Sequence, residues 1–415
     1  MSYKPVYPDF NKDSLVNLMS SILAHYDLSS PYPILDKHYL KNIEGCEKLV
    51  FFLIDGFGQN IWKKYALNYS LFKTLSDNTD KSSITSVFPS TTAAALTTIH
   101  TGLPPKTHGI LEWNVYFKEL NAVISTIPYQ IVSPIYDSQA LSKYKNNSGI
   151  LINNITIYEK LLKKNVKSYI LYPKQFIRGT YNREAFKGGL SSLYISLSDL
   201  LIELTSKLES TKGKAYFFVY WPFLDTTEHF YGPFTRQTEM HIKMLNDMIQ
   251  DLLIKNINKA SAKKIGLILT ADHGQLACNP EETAYLNEIK NINSFFRKTS
   301  TKQYILPSGN PRDIFLHIKK ESIAKSKAEI NAFLKNKADV FLLDKSTLDR
   351  FFGDDIPHPS FFDRVGDMLI LPKDNNLAWY QYLPNEPFVY KGTHGGFTEE
   401  EMMIPLLAKR LIDLR

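Results

Sequence analysis

The stretch Lys48-Leu49-Val50-Phe51-Phe52-Leu53-Ile54-Asp55-Gly56-Phe57-Gly58 decides how the rest of the chain is read. An unbroken apolar run of this length, rich in aromatic and branched side chains, is what a strand buried on both faces looks like. It stops at a carboxylate, and Gly56 and Gly58 permit a sharp turn into the next element. In open α/β sheets the ligand crevice lies beyond the carboxyl ends of the strands. Asp55 is therefore a candidate site residue, with capping of the following helix as the plainer alternative.

Similar runs recur outward from this stretch, at 83–88, 168–172, 215–220 and 265–269. Between them, segments 151–164, 195–208 and 241–257 carry apolar residues at helical spacing. The alternation predicts an α/β fold with a mostly parallel central sheet covered by helices. From Asn279 the pattern changes to strand-like 313–317, a helix over 322–335, and strand-like 339–343 and 367–371. A small inserted α/β subdomain is expected at 279–375, dividing a catalytic domain built from 1–278 and 376–415. Pro-, Gly- and Asn-rich junctions at 306–312 and 371–376 bracket most of it.

Composition narrows the function classes. The 415 residues are 44% hydrophobic, 13% aromatic and 22% charged, which excludes disordered, collagen-like and coiled-coil chains. A net charge of +7, from 49 basic and 42 acidic residues, is spread without a basic tract. That balance argues against sequence-specific nucleic-acid binding and for mild attraction of anionic substrates. Cys46 and Cys278 stand apart from any Cys-x-x-Cys pattern and are expected to be core thiols. The start, MSYKPVYPDFNKDSL, shows no signal peptide, and no apolar run approaches the ~20 residues of a spanning helix. A cytoplasmic setting without a membrane span is expected, although leaderless export would leave no trace.

Four further stretches end in polar residues of chemical interest. In SVFPSTTAAALTTIHTGLPPKTHGI (86–110) a strand is expected to stop at Pro89 and a helix to begin near Thr91 or Thr92. A hydroxyl would then sit among the free N–H groups of a helix start, suited to phosphate; a plain cap from Ser90 or Thr91 is the alternative. In AYFFVYWPFLDTTEHFYGP (215–233) Asp225 and His229 lie four residues apart, so an oxygen and a nitrogen ligand share one side of a helical turn. In KKIGLILTADHGQL (263–276) a strand delivers Asp272 and His273, either of which is also an ordinary turn residue. In KGTHGGFTEEEMMIPLL (391–407) glycines flank His394, and Glu399 to Glu401 read as a helix start.

Together the five stretches resemble the nucleotide pyrophosphatase/phosphodiesterase branch of the alkaline phosphatase superfamily, the type I phosphodiesterases, in the family's order from Asp55 to His394. Thr101-Gly102-Leu103 and His108-Gly109-Ile110 are similar to further family motifs. The resemblance implies an alkaline-phosphatase-like fold, two divalent cations and a small phosphate ester as substrate. It assigns Asp55, Asp272, His273 and the nucleophile to one ion, and Asp225, His229 and His394 to the other. Phe88-Pro89-Ser90-Thr91-Thr92 matches the nucleophile motif with Thr92 as the attacking residue and Thr91 as the fallback. Zn2+ is the expected metal, with Mn2+ or Fe as alternatives for the same donors.

The implied reaction is hydrolysis of phosphodiester or pyrophosphate bonds through a phospho-threonine. Competing readings are a phosphomonoesterase, which would need a positive group over the non-bridging oxygens, a cofactor-independent phosphotransferase, whose branch uses serine, and an inactive binding protein. One departure bears on substrate: Ala93, Ala94 and Ala95 replace the family's Phe-Pro-Asn, removing a base contact and a phosphate donor. Asn114 or a backbone N–H is a candidate replacement. His100, His108, His241, His317 and His358 are read as core or surface histidines, His108 also as a group orienting the nucleophile loop. Trp113, Tyr116, Trp221, Phe223, Phe230 and Tyr231 are mostly core with some in a pocket wall, and Arg178 is read as an exposed arginine, with a grip on a phosphate oxygen as the alternative.

Overall fold

The computed structural model describes residues 4–76, 83–143 and 149–415. Its central sheet is built from β1 (Lys48–Ile54), β2 (Ser83–Thr85), β3 (Lys167–Pro173), β4 (Leu190–Tyr194), β5 (Ala215–Trp221), β6 (Ile265–Thr270) and the C-terminal strand (Met403–Arg410). The last of these is called β11, because a second sheet contributes β7 (Ser308–Asn310), β8 (Asp313–Leu316), β9 (Ala338–Leu342) and β10 (Met368–Pro372). Strand order is β2-β11-β6-β1-β5-β3-β4 in the large sheet and β7-β8-β10-β9 in the small one. The five strands β6-β1-β5-β3-β4 run parallel, while β11 pairs antiparallel with β6 and β2. The fold is thus α/β with a mostly parallel sheet.

Every residue of β1, β5 and β6 is buried, which is why their sequences are apolar without alternation. The register sets Ile54 beside Trp221 and Leu53 beside Thr270. The three strands therefore end level, and the residues after them emerge along one edge of the sheet. Helices α1 (Leu15–His25), α2 (Thr92–Thr101), α3 (Leu197–Ser210), α4 (Phe223–Tyr231) and α5 (Arg236–Met248) precede or separate these strands in the chain, and α3 packs against β4. Helix α6 (Ile323–Leu334) packs on β9 of the small sheet.

Several expected elements are shorter than their apolar patterns. The strand expected over 83–88 ends at Thr85, and Phe88 leaves the sheet to stack on Phe397 with ring centroids 3.9 Å apart. The helix expected over 151–164 is confined to Ile157–Leu162. Upstream of it, the N–H groups of Leu151 and Ile152 donate to the Glu184 carboxylate, so they do not start a helix. The helix expected over 241–257 begins earlier, at Arg236 behind the Thr235 cap, and passes into a π-type turn at Ile249–Ile254. Cys46 is buried, but Cys278 is half-buried, its thiol meeting the Tyr390 carbonyl, and is no core thiol.

Candidate active site

Asp55 leaves the tip of β1 and is almost fully buried. Its amide donates to Trp221 O at 3.0 Å and its carbonyl accepts from Asp225 N at 3.1 Å, tying it to the start of α4. Gly56 takes φ +74, and a Cβ there would lie 3.0 Å from Asp225 Cα. Glycine is needed twice over, for conformation and for close approach. Helix α4 places Asp225 and His229 one turn apart, with His229 Nε2 3.4 Å from Asp225 Oδ2. Beyond β6, Asp272 and His273 turn back toward Asp55, whose Oδ1 lies 3.3 Å from His273 Nε2. The Asp272 Oδ2 is 3.2 Å from the same nitrogen.

Helix α2 begins at Thr92, with Thr91 in extended conformation before it. Thr92 Oγ1 is 3.1 Å from His273 Nε2, whereas the buried Thr91 Oγ1 has no hydrogen-bond partner. His394 sits on the loop before the short helix α7 (Glu399–Met402); its ring stacks on His273 at 3.6 Å, and its Nε2 is 3.7 Å from Asp225 Oδ1. The structure therefore brings together all seven residues singled out in the sequence. Two groupings have mutually close donor atoms: Asp225, His229 and His394, and Asp55, Asp225 and His273. Asp225 takes part in both, where the resemblance gives it to one ion alone.

The protonation pattern explains what the cluster can bind. His229, His273 and His394 direct Nδ1 at the carbonyls of Gly392, Gly274 and Ser90, at 2.8, 3.2 and 2.9 Å. A carbonyl only accepts, so each Nδ1 carries a proton and Nε2 is the ring nitrogen turned toward the cluster. The three Nε2 atoms face carboxylate oxygens, an arrangement of donor atoms that a shared cation would satisfy. Asp55 Oδ1 and Asp272 Oδ2 are buried without hydrogen-bond partners. Burial first, then the Asp272 and Asp225 charges, holds the Asp55 carboxyl well above the usual range. Burial also raises Asp272, with His273 opposing it. Burial and the other two imidazoles push His394 well down. Carboxylate and imidazole donors in this state fit divalent cations. Tyr220 Oη donates to Asp55 and Gln275 Nε2 to Asp225, which orients both carboxylates.

A cleft of about 390 Å3 opens over Thr91, Thr92, Asp225, His229 and His394. Its far wall is aromatic, from Trp113, Phe230, Trp379, Phe388 and Tyr390, and Glu112, Asn114 and Asn310 complete its polar lining. No Lys or Arg is among the described lining residues. Of the flanking aromatics, Trp113 and Phe230 reach the cleft, Tyr116 and Trp221 are core, and Tyr231 is exposed elsewhere. Arg178 is exposed and does not line the cleft. His108 braces the start of α2, meeting Thr98 Oγ1 at 3.1 Å and the Ala94 carbonyl two residues beyond Thr92.

Sequence reading missed Glu112 and Asn310. Burial pushes the Glu112 carboxyl up to about 7, and Asn310 donates to its Oε1 at 2.6 Å. It also missed the fully buried ion pair of Arg312 with Glu401, at 2.8 and 3.1 Å. Glu401 is indeed in the first turn of α7, but its carboxylate points inward. Neither pair has a local signature, because their partners are about 200 and 90 residues apart.

Residues 49–397 match the family model described as type I phosphodiesterase / nucleotide pyrophosphatase. "Venom phosphodiesterase 2" of Crotalus adamanteus is 25% identical over 276 residues, 64% of this chain and 32% of that protein. "Venom phosphodiesterase" of Naja atra is 24% identical over 301 residues, 69% and 34% of the two chains. The chain thus spans about a third of the length of these curated relatives. Among solved structures, human ectonucleotide pyrophosphatase / phosphodiesterase 5 superposes with a TM-score of 0.63 at 15% identity, over 88% of this chain and 87% of that one. An inactive variant of the murine protein in complex with AMP gives 0.62 at 16% identity, covering 88% of each. At such identity the likeness shows the fold.

Proposed function

Because the chain belongs to the type I phosphodiesterase / nucleotide pyrophosphatase family, we propose that it hydrolyses phosphodiester or pyrophosphate bonds of small molecules, using two divalent cations and a phospho-threonine at Thr92. The observation that carries this reading is the set of three Nε2 atoms 3.2 to 3.7 Å from carboxylate oxygens, with Thr92 Oγ1 at its rim. In our assignment Asp55, Asp272, His273 and Thr92 hold one cation and Asp225, His229 and His394 the other. Bound there, the cations would lower the hydroxyl pKa and neutralise charge on the phosphoryl oxygens. Zn2+ suits these oxygen and nitrogen donors, with Mn2+ or Fe as alternatives.

Thr92 forms the new O–P bond as the leaving group departs from the opposite side, and water then cleaves the phospho-threonine. The N-terminus of α2 faces the developing negative charge. The aromatic wall offers flat surfaces to a base or another apolar substituent. A diester carries one negative charge where a monoester carries up to two. The described cleft lining has no Lys or Arg to compensate the second and includes the carboxyl of Glu112, which favours diesters over the phosphomonoesterase reading. We also treat 279–375 as an inserted unit, and two free thiols suit a reducing, cytoplasmic setting.

The test compares thymidine 5′-p-nitrophenyl phosphate, bis-p-nitrophenyl phosphate and p-nitrophenyl phosphate, with and without chelator. Diesters are expected to turn over faster than the monoester, chelation to abolish activity, and Thr92→Ala to be inactive with an unchanged circular dichroism spectrum. A monoester preference would overturn the substrate class. A well-folded preparation that takes up no metal would instead support a binding protein.

A further inference from the structure

We propose that Asn310, carried on the small sheet, donates a hydrogen bond to a non-bridging phosphoryl oxygen during the reaction; the inference rests on reading the cleft as a phosphoryl-transfer site. Asn310 ends β7, opposite Asp313 in the tight connection to β8. It lines the cleft together with Thr91, Thr92 and His394.

The orientation of its amide is fixed by chemistry. Oδ1 accepts the Arg312 N–H at 2.7 Å, and Nδ2 donates to Glu112 Oε1 at 2.6 Å. Exchanging the oxygen and nitrogen would set Oδ1 against a carboxylate oxygen and the NH2 against an N–H, so both contacts select one flip state. Glu112 is fully buried and itself accepts the Trp113 N–H. Only one of the two amide hydrogens of Asn310 is used by Glu112. The second is available to a ligand in the cleft.

The surrounding residues leave this role open. The first turn of α2 presents Ala93, Ala94 and Ala95, none of which carries a side-chain donor. The other cleft amide, Asn114, donates to Gly309 O at 3.2 Å and accepts from Ser125 Oγ at 2.7 Å, which anchors β7 and hence Asn310. A Cβ on Gly395 would come within 2.5 Å of Asn310 Nδ2. The amide is therefore packed on the loop that carries His394. A neutral donor, held by a buried acid on one side and by backbone on the other, needs no reorganisation when charge develops on the phosphoryl oxygens. Glu112 is by this argument a positioning residue.

The experiment measures kcat and KM for thymidine 5′-p-nitrophenyl phosphate, inhibition by orthovanadate, and bound metal, for wild type, Asn310→Ala and Asn310→Ser. The single hydroxyl hydrogen of the serine can serve Glu112 but not the cleft as well, so this variant spares the buried carboxyl while removing the donor. We expect kcat to fall by roughly 10²- to 10³-fold in both, with KM changed less than threefold, vanadate inhibition weakened in parallel, and metal content unchanged. A kcat within threefold of wild type, or a loss that tracks lost metal, would overturn the inference alone. A wild type that leaves the diester intact would overturn the functional reading and this inference together.

Discussion

Replacing Glu401 by alanine tests whether the small sheet and the His394 loop are held by one buried charge pair. Glu401 and Arg312 are both fully buried. Arg312 Nε and Nη2 donate to Glu401 Oε1 and Oε2 at 2.8 and 3.1 Å, a two-point contact that alanine cannot replace. The same carboxylate accepts the N–H of Gly396 at 2.9 Å, the N–H of Thr398 at 3.1 Å and the Thr398 hydroxyl at 2.8 Å. Removing one partner of a buried ion pair costs about 3 to 5 kcal/mol, because the other charge stays in the interior. The lost bonds to Gly396 and Thr398 overlap with that figure and bring the expectation to its upper half. That is a large fraction of the 5 to 15 kcal/mol that stabilises an ordinary domain. Urea unfolding at pH 7 is the assay, run also on Arg312→Leu and on the Arg312→Leu/Glu401→Ala double variant. The double variant should lose at least about 2 kcal/mol less than the sum of the singles, because it leaves no buried charge behind. A Glu401→Ala cost below about 1 kcal/mol, or strict additivity in the double variant, would refute the reasoning. Diester hydrolysis should fall as well, since Gly396 lies two residues beyond His394.

Gly56→Ala is expected to lower bound metal to less than half of the wild-type content, read by elemental analysis of the purified protein. Its φ of +74 and the 3.0 Å approach to Asp225 Cα mean that a methyl group must push β1 and α4 apart. His100 is buried beside Tyr158, and burial pushes its pKa down to about 3 from an ordinary 6.5. Above pH 6.5 both folded and unfolded forms are neutral, so nothing is lost. As pH falls toward 3 only the unfolded form binds the proton, and stability falls by about 1.4 kcal/mol per pH unit. His100→Gln should therefore shrink the difference in unfolding free energy between pH 7 and pH 4.5 by about 2 to 3 kcal/mol; an unchanged difference would exclude His100 as a contributor to acid sensitivity.

Much of the site was legible because buried parallel strands have a sequence signature, and chemistry sits where they stop. Continuous apolar runs located β1, β5 and β6, and the first polar residues after them are Asp55, then Asp225 and His229 one helical turn later, then Asp272 and His273. His394 follows only the two-residue strand Gly392–Thr393, which has no apolar run, and was legible through its flanking glycines and the family resemblance. Strand β4 was missed, since its exposed, serine-containing sequence LSSLY lacks that signature at the sheet edge. Strand β11 was missed behind the acidic run that starts α7.

By itself, then, the amino-acid order determined the buried strands β1, β5 and β6 and the side chains that stand at their ends, because those are short-range consequences of burial and turn geometry. The sharing of Asp225 between two donor groups and the pairings of Glu112 with Asn310 and Arg312 with Glu401 were decided by the tertiary structure alone. Each depends on a distance of a few ångströms between residues about 90 to 200 positions apart, or on which way one helical turn faces, and no local pattern of polarity encodes either.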